Sequence, residues 1–107
     1  MSDWYVLDEN NKAIKSSVEH WTEWSQKNPT RKVIGKTKIG DDLISTVFLG
    51  LEHGYWPDLN ILWETMVFGQ SCNDQYQERY SSHERAVEGH ERIVRAVING
   101  EMLMGEE

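Results

Sequence analysis

The chain contains one cysteine, Cys72, and two prolines in 107 residues. A lone cysteine forms no internal disulfide. That sets aside the disulfide-stapled secreted scaffolds and favours a reducing, cytoplasmic setting. Two prolines rule out a proline-rich linker or stalk. Long apolar runs are also missing, and none approaches the ~20 residues of a membrane-crossing helix. The opening MSDWYVLDEN has neither the basic start nor the apolar stretch of a secretory signal. Basic charge is scarce: 11 Lys and Arg stand against 18 Asp and Glu, a net charge of −7. General binding to a nucleic-acid backbone is therefore not expected. Lys32, Lys36 and Lys38 form a small basic group, but Asp41 and Asp42 follow at once. No HExxH, GxSxG, P-loop or GxGxxG pattern occurs.

What is present reads as one small α+β domain over residues 1–107. WYVLDENNKAIK is a β-hairpin pattern, with two short strands around ENNK, whose paired asparagines tolerate left-handed turn conformations. In SSVEHWTEWSQKNP, Ser16 and Glu19 have capping-box spacing, and Val18, Trp21 and Trp24 recur with helical period. The spacing predicts a helix over 17–27, ended by Pro29. RKVIGKTKIG begins like a strand and leads through GDD into a strand over 43–51. A second long strand is expected over 61–68. The short connection makes these two antiparallel neighbours. Residues 70–80, QSCNDQYQERY, are polar and read as loop. Ser81 with Glu84 repeats the capping-box spacing before a helix over 82–99, whose apolar stripe is Ala86, Val87, Ile93, Val94 and Val97, with Gly100 as C-cap. The expected fold is an antiparallel sheet with an N-terminal hairpin and two helices packed on one face.

The blocks STVFLGL (45–51) and ETMVFG (64–69), with RYSSHERAVEGH (79–90) and WYVLDENNKAI at the start, carry a resemblance over nearly the whole chain. The chain resembles a family of small uncharacterised phage and prophage proteins with STVFLGL, ETMVFG, RYS and GH motifs. The resemblance implies a phage or mobile-element setting and no particular activity. Two departures are visible. The loop GYWPDLN differs from the Gly/Pro-rich loop of the family, and Trp63 stands where Phe is commoner.

Glu64 is the residue that most needs explaining, because it lies between Trp63 and Met66 in an apolar strand. Alternation places it on one face with Leu62, Met66 and Phe68. If that face is the core, the carboxylate needs a partner. His90 is one candidate, with Ala86 one turn before it and Val94 one turn after. Arg79, with its planar fork, is the other. Such a pair serves either as an acid/base site or as a structural tie between helix and sheet, and the structural role is preferred because buried ion pairs occur without catalysis. Glu52 and His53 open the loop after the first long strand, where His53 has the chemistry of an acid, base or ligand near neutral pH. Tyr55 and Trp56 sit beside Gly54 and Pro57, where exposed aromatics would anchor a partner or stack on a base. Either they do so, or they fold back on the sheet edge. Cys72 lacks an activating motif. Gly89, inside the last helix, is read as a point of close packing.

The expected function is a non-enzymatic binding module, a phage-type accessory protein engaging a host protein and acting as an inhibitor of a host or defence component. Its contact surface would be the 52–58 loop. One rival is a small-ligand or nucleotide sponge using Tyr55, Trp56 and Arg79. A second is a small hydrolase using Glu64 and His90 with His53. No cofactor, metal or membrane partner is expected.

Overall fold

The computed structural model describes residues 3–51, 61–69 and 76–101. The elements run β1 (Trp4–Leu7), β2 (Ala13–Ser16), α1 (Val18–Lys27), β3 (Val33–Ile39), β4 (Asp42–Phe48), β5 (Trp63–Phe68), β6 (Tyr76–Tyr80) and α2 (His83–Ile98). β1 and β2 form an antiparallel hairpin. β3 to β6 form a second antiparallel sheet in sequence order. The α+β class, the hairpin and the antiparallel β4–β5 pair agree with the sequence reading.

Local chemistry explains the turns. The side chain of Asp8 accepts from the backbone N–H of Asn10 and Lys12, and Asn11 takes the left-handed conformation at φ 63°. Ile39 pairs with Asp42, so β3 and β4 meet across the two residues Gly40 and Asp41, with Gly40 at φ 58°. Both helix caps lie one residue later than the capping-box spacing predicts. Ser17 Oγ accepts from His20 N and Ser82 Oγ accepts from Arg85 N, each at 3.1 Å. In each pair of serines the second is the cap, because β2 runs on through Ser16 and the chain leaves β6 through Ser81.

Residues 76–80 form a strand, not the loop that their polarity suggested. Tyr76 and Tyr80 are buried while Gln77 and Arg79 are exposed, so YQERY is a period-2 pattern built from amphipathic residues. α2 crosses one face of the four-stranded sheet. One apolar cluster gathers Tyr5, Leu7, Phe48, Leu62, Trp63, Tyr80 and Ala86, with Trp24 of α1 packed against it. A second holds Ile44, Val67, Tyr76, Ile93 and Val97 at the other end of α2. Trp63, Ile44, Leu62, Ile93 and Val67 are all within 2% of full burial, and each contributes on the order of 1.5–3 kcal/mol relative to exposure. Trp21 packs its ring against Trp4 at 4.9 Å, under Lys32 Nζ at 5.8 Å.

Candidate functional site

Strand pairing sorts the sheet's side chains into two faces. Toward α2 point the rows Gly35–Thr46–Thr65–Glu78 and Thr37–Ile44–Val67–Tyr76, together with Phe48, Trp63 and Tyr80. Away from α2 point the rows Val33–Val47–Glu64–Arg79 and Lys36–Ser45–Met66–Gln77, and the residues Lys38, Leu43 and Phe68.

Glu64 therefore does not meet His90. The two are on opposite faces of the sheet, and the helix-facing row of β5 is Trp63, Thr65 and Val67. The sequence misled here because β5 carries large apolar residues on both faces, so alternation alone did not say which one the helix covers. Glu64 accepts from Arg79 Nε at 2.9 Å, with Glu64 8% exposed and Arg79 open to solvent. The pair ties β5 to β6 and does not dock α2. It also occupies the guanidinium that the nucleotide-sponge reading assigned to a phosphate. Glu52, His53, Tyr55 and Trp56 lie outside the described residues, as does Cys72.

His90 enters a different constellation. Its Nδ1 lies 2.7 Å from Thr46 Oγ1 and its Nε2 lies 2.9 Å from Thr37 Oγ1. Thr46 Oγ1 contacts Thr65 Oγ1 at 2.5 Å, and the Tyr80 hydroxyl donates to Thr65 Oγ1 at 2.9 Å. These five side chains form one continuous chain beneath α2, between the two apolar clusters. Two glycines make room for it. A Cβ on Gly35 would stand 2.8 Å from the His90 ring, and one on Gly89 would stand 2.3 Å from the Tyr80 hydroxyl. Burial holds His90 below its ordinary range, against a small opposing effect of Glu91. Burial also pushes the Tyr80 phenol up to about 12, so both groups are neutral at pH 7. Sequence reasoning missed Thr37, Thr46, Thr65 and Tyr80. The sequence carried little signal for them, because Ser45–Thr46 in β4 and Glu64–Thr65 in β5 are adjacent polar pairs that put one polar residue on each face.

A cleft of about 520 Å³ opens between the hairpin turn and the start of α2, lined by Asn10, Asn11, Lys12, Trp63, Ser82 and His83 among others. Burial, with a smaller effect of Arg31, lowers the pKa of His83. Arg31 itself donates to the carbonyl oxygen of Asp8 and to Asn11 Oδ1 of the turn. Among the described residues no group of three or more His, Cys, Asp or Glu side chains is placed to hold a metal ion, and no helix is long and apolar enough to cross a membrane.

No family model, no curated protein and no solved structure matches the chain.

Proposed function

We propose that this chain is a non-enzymatic binding module, a small phage-type accessory protein that engages a host protein and thereby inhibits a host or defence component. The observation that supports this reading is the sheet face turned away from α2. A solvated antiparallel face normally alternates to polar residues, yet here Val33, Leu43, Val47, Met66 and Phe68 share it with the Glu64–Arg79 pair. Val33 and Phe68 are exposed, and among the described residues no element packs over them. Lys36 and Lys38 border this apolar strip on a chain of net charge −7. Such a surface suits a partner patch that is apolar at its centre and carboxylate-rich at its rim. The hydrolase reading loses its constellation, because Glu64 and His90 are separated by the sheet.

The test is capture of host proteins on the immobilised chain, comparing wild type with Met66→Asp and with Lys36→Glu/Lys38→Glu. The reading expects one partner that Met66→Asp loses and that the charge reversal weakens, with binding that falls as salt is raised. Circular dichroism should show both variants folded. A partner held equally by all three proteins would overturn the assignment to this face.

The cleft at the start of α2 favours a second reading, a small-anion binder. Lys12, His83 and the acidic Glu84 line it at the first backbone N–H groups of a 16-residue helix. Titration with inorganic phosphate, followed by amide shifts of Lys12, Ser82 and His83, tests it, and unmoved shifts at millimolar phosphate would dismiss it.

A further inference from the structure

The chain of hydroxyls under α2 lies apart from both surfaces discussed above, and its protons can be assigned one at a time. Each hydroxyl has one proton to give. Tyr80 donates to Thr65, and the arrangement that leaves no buried proton idle then turns the Thr65 proton to Thr46. Thr46 then has only His90 Nδ1 to donate to. Nδ1 is consequently the bare nitrogen. The ring proton sits on Nε2 and is donated to Thr37, which lies half-buried at the outer end of the chain. Read this way, the protons of Tyr80, Thr65, Thr46 and His90 are each used once, and all bonds run in one direction.

We propose that His90 is a pH gate for α2: the helix docks with His90 neutral in its Nε2–H form, and a proton added at Nδ1 leaves the hydroxyl chain with one donor more than it can place and loosens the helix from the sheet. With Nδ1 protonated, Thr46 must accept from it and turn its own proton toward Thr65. Thr65 then either accepts from both Thr46 and Tyr80 on its two lone pairs, with its own proton idle, or turns that proton toward the Tyr80 oxygen. Either way one proton, that of Thr65 or that of Tyr80, is left over, and neither buried hydroxyl has another acceptor among its described contacts. A buried charge and an orphaned donor are produced together, and each is unfavourable in a water-poor layer.

The surroundings offer the added charge little relief. From α2 itself, Glu91 is the acidic neighbour acting on His90. From β6 the titratable groups on this face are Tyr76, Glu78 and Tyr80. Glu78 is already engaged by Arg92 and by the Tyr76 hydroxyl. β3, β4 and β5 present Gly35, Thr37, Ile44, Thr46 and Thr65 here, and the ionisable side chain on that face of β4 is Asp42, at the opposite end of the strand from Phe48 and four residues from Thr46. Lys36 and Lys38 of β3 point to the other face.

Linkage sets the direction. The folded state holds His90 below its unfolded value of about 6.5, so the unfolded chain binds the proton more readily. The stabilisation is complete above about pH 6.5 and is lost as pH falls from there toward the folded-state pKa. His83 is shifted in the same direction and acts in the same window, so the test must separate the two.

The experiment is histidine nitrogen NMR on the intact wild-type chain, with amide hydrogen exchange of α2 measured from pH 7.5 to 5 and corrected for intrinsic rates. The expected result is a bare Nδ1 and a protonated Nε2 for His90 at neutral pH. The opening equilibrium of α2 should then rise as pH falls, by up to about tenfold per unit, the limit for one proton. His90→Asn keeps an acceptor near the Nδ1 position without a titrating group and should flatten this response, whereas His83→Gln should leave it in place. An Nδ1–H tautomer at neutral pH would overturn the proposal. So would flat α2 exchange while His90 titrates, or a pH response that survives His90→Asn and disappears in His83→Gln. If His90→Asn does not fold, the wild-type tautomer and the exchange profiles of wild type and His83→Gln still decide.

Discussion

The two faces of the four-stranded sheet handle polar groups in opposite ways. Under the middle of α2, polarity is neutral and shared along Thr37, His90, Thr46, Thr65 and Tyr80, and the ion pair on this face, Glu78–Arg92, stands at the β6 edge with Arg92 open to solvent. On the other face it is ionic and local, a single Glu64–Arg79 pair at 2.9 Å whose guanidinium reaches solvent. The difference follows from access to water. A layer sealed by a helix tolerates hydroxyls and a neutral imidazole when they satisfy one another, but charges there would lose more in desolvation than they recover by pairing. A face with water at one edge can keep an ion pair because one partner remains hydrated.

The comparison is sharpest where burial is complete. Trp63 on the helix side is 2% exposed and packs at 5.2 Å from Phe48. Trp63→Ala should cost about 3–5 kcal/mol, the range for truncating a buried large aromatic. Met66→Ala, one position past Thr65 on the opposite face, should lose much less. Urea denaturation of the two variants measures the gap, and equal losses would mean that the faces are not energetically distinct.

Next in size is the hydroxyl chain. Thr46→Val and Thr65→Val keep the β-branched shape, yet each leaves buried partners unpaired and should cost about 1–3 kcal/mol. The double variant removes both ends of one bond, so its loss should fall short of the sum of the single losses. Strict additivity in denaturation midpoints would show that the two hydroxyls do not act as one chain.

Much of this architecture was legible beforehand, and the gaps have physical causes. The hairpin, both helices and the β4–β5 pair follow from turn residues and from periods of two and 3.6. β6 was hidden because tyrosine, a residue with an apolar ring and a polar tip, supplied its buried positions. The caps were displaced by one residue because each helix is preceded by two serines, either of which fits the cap chemistry. His90 was marked by its helical register, but its partners were misassigned. A carboxylate in an apolar strand attracts notice, whereas a threonine at a core position looks like an ordinary strand residue until the strands are paired. Gly35 and Gly89 carried a hint of close packing but none of what they accommodate.

The ion pair comes third. Arg79→Ala would strip the partner from a carboxylate that is 8% exposed, a loss between the surface and fully buried limits, on the order of 1 kcal/mol. Glu64→Gln retains the side-chain shape and an acceptor, and should cost less than Glu64→Ala. Denaturation at low and high salt reads both comparisons. A loss from Arg79→Ala that matched Trp63→Ala would show Glu64 to be sealed from water on that side.

The smallest stability effect is expected at Phe68, and it separates structure from recognition most cleanly. Phe68 lies across from Leu43 at the end of β5 and is 39% exposed. About two-fifths of its surface stays in water after folding, so Phe68→Ala should alter unfolding free energy by about 1 kcal/mol or less. An exposed aromatic beside Leu43 and Met66 is nevertheless the kind of residue whose surface is removed from water when a partner docks. If the outer face is the contact surface, Phe68→Ala should weaken capture of the partner about tenfold or more, the effect of roughly 1.4 kcal/mol of lost contact, while shifting the melting curve only by a few degrees. The reverse pattern, a large drop in stability with capture unchanged, would return Phe68 to the fold and remove the main reason for assigning recognition to this face.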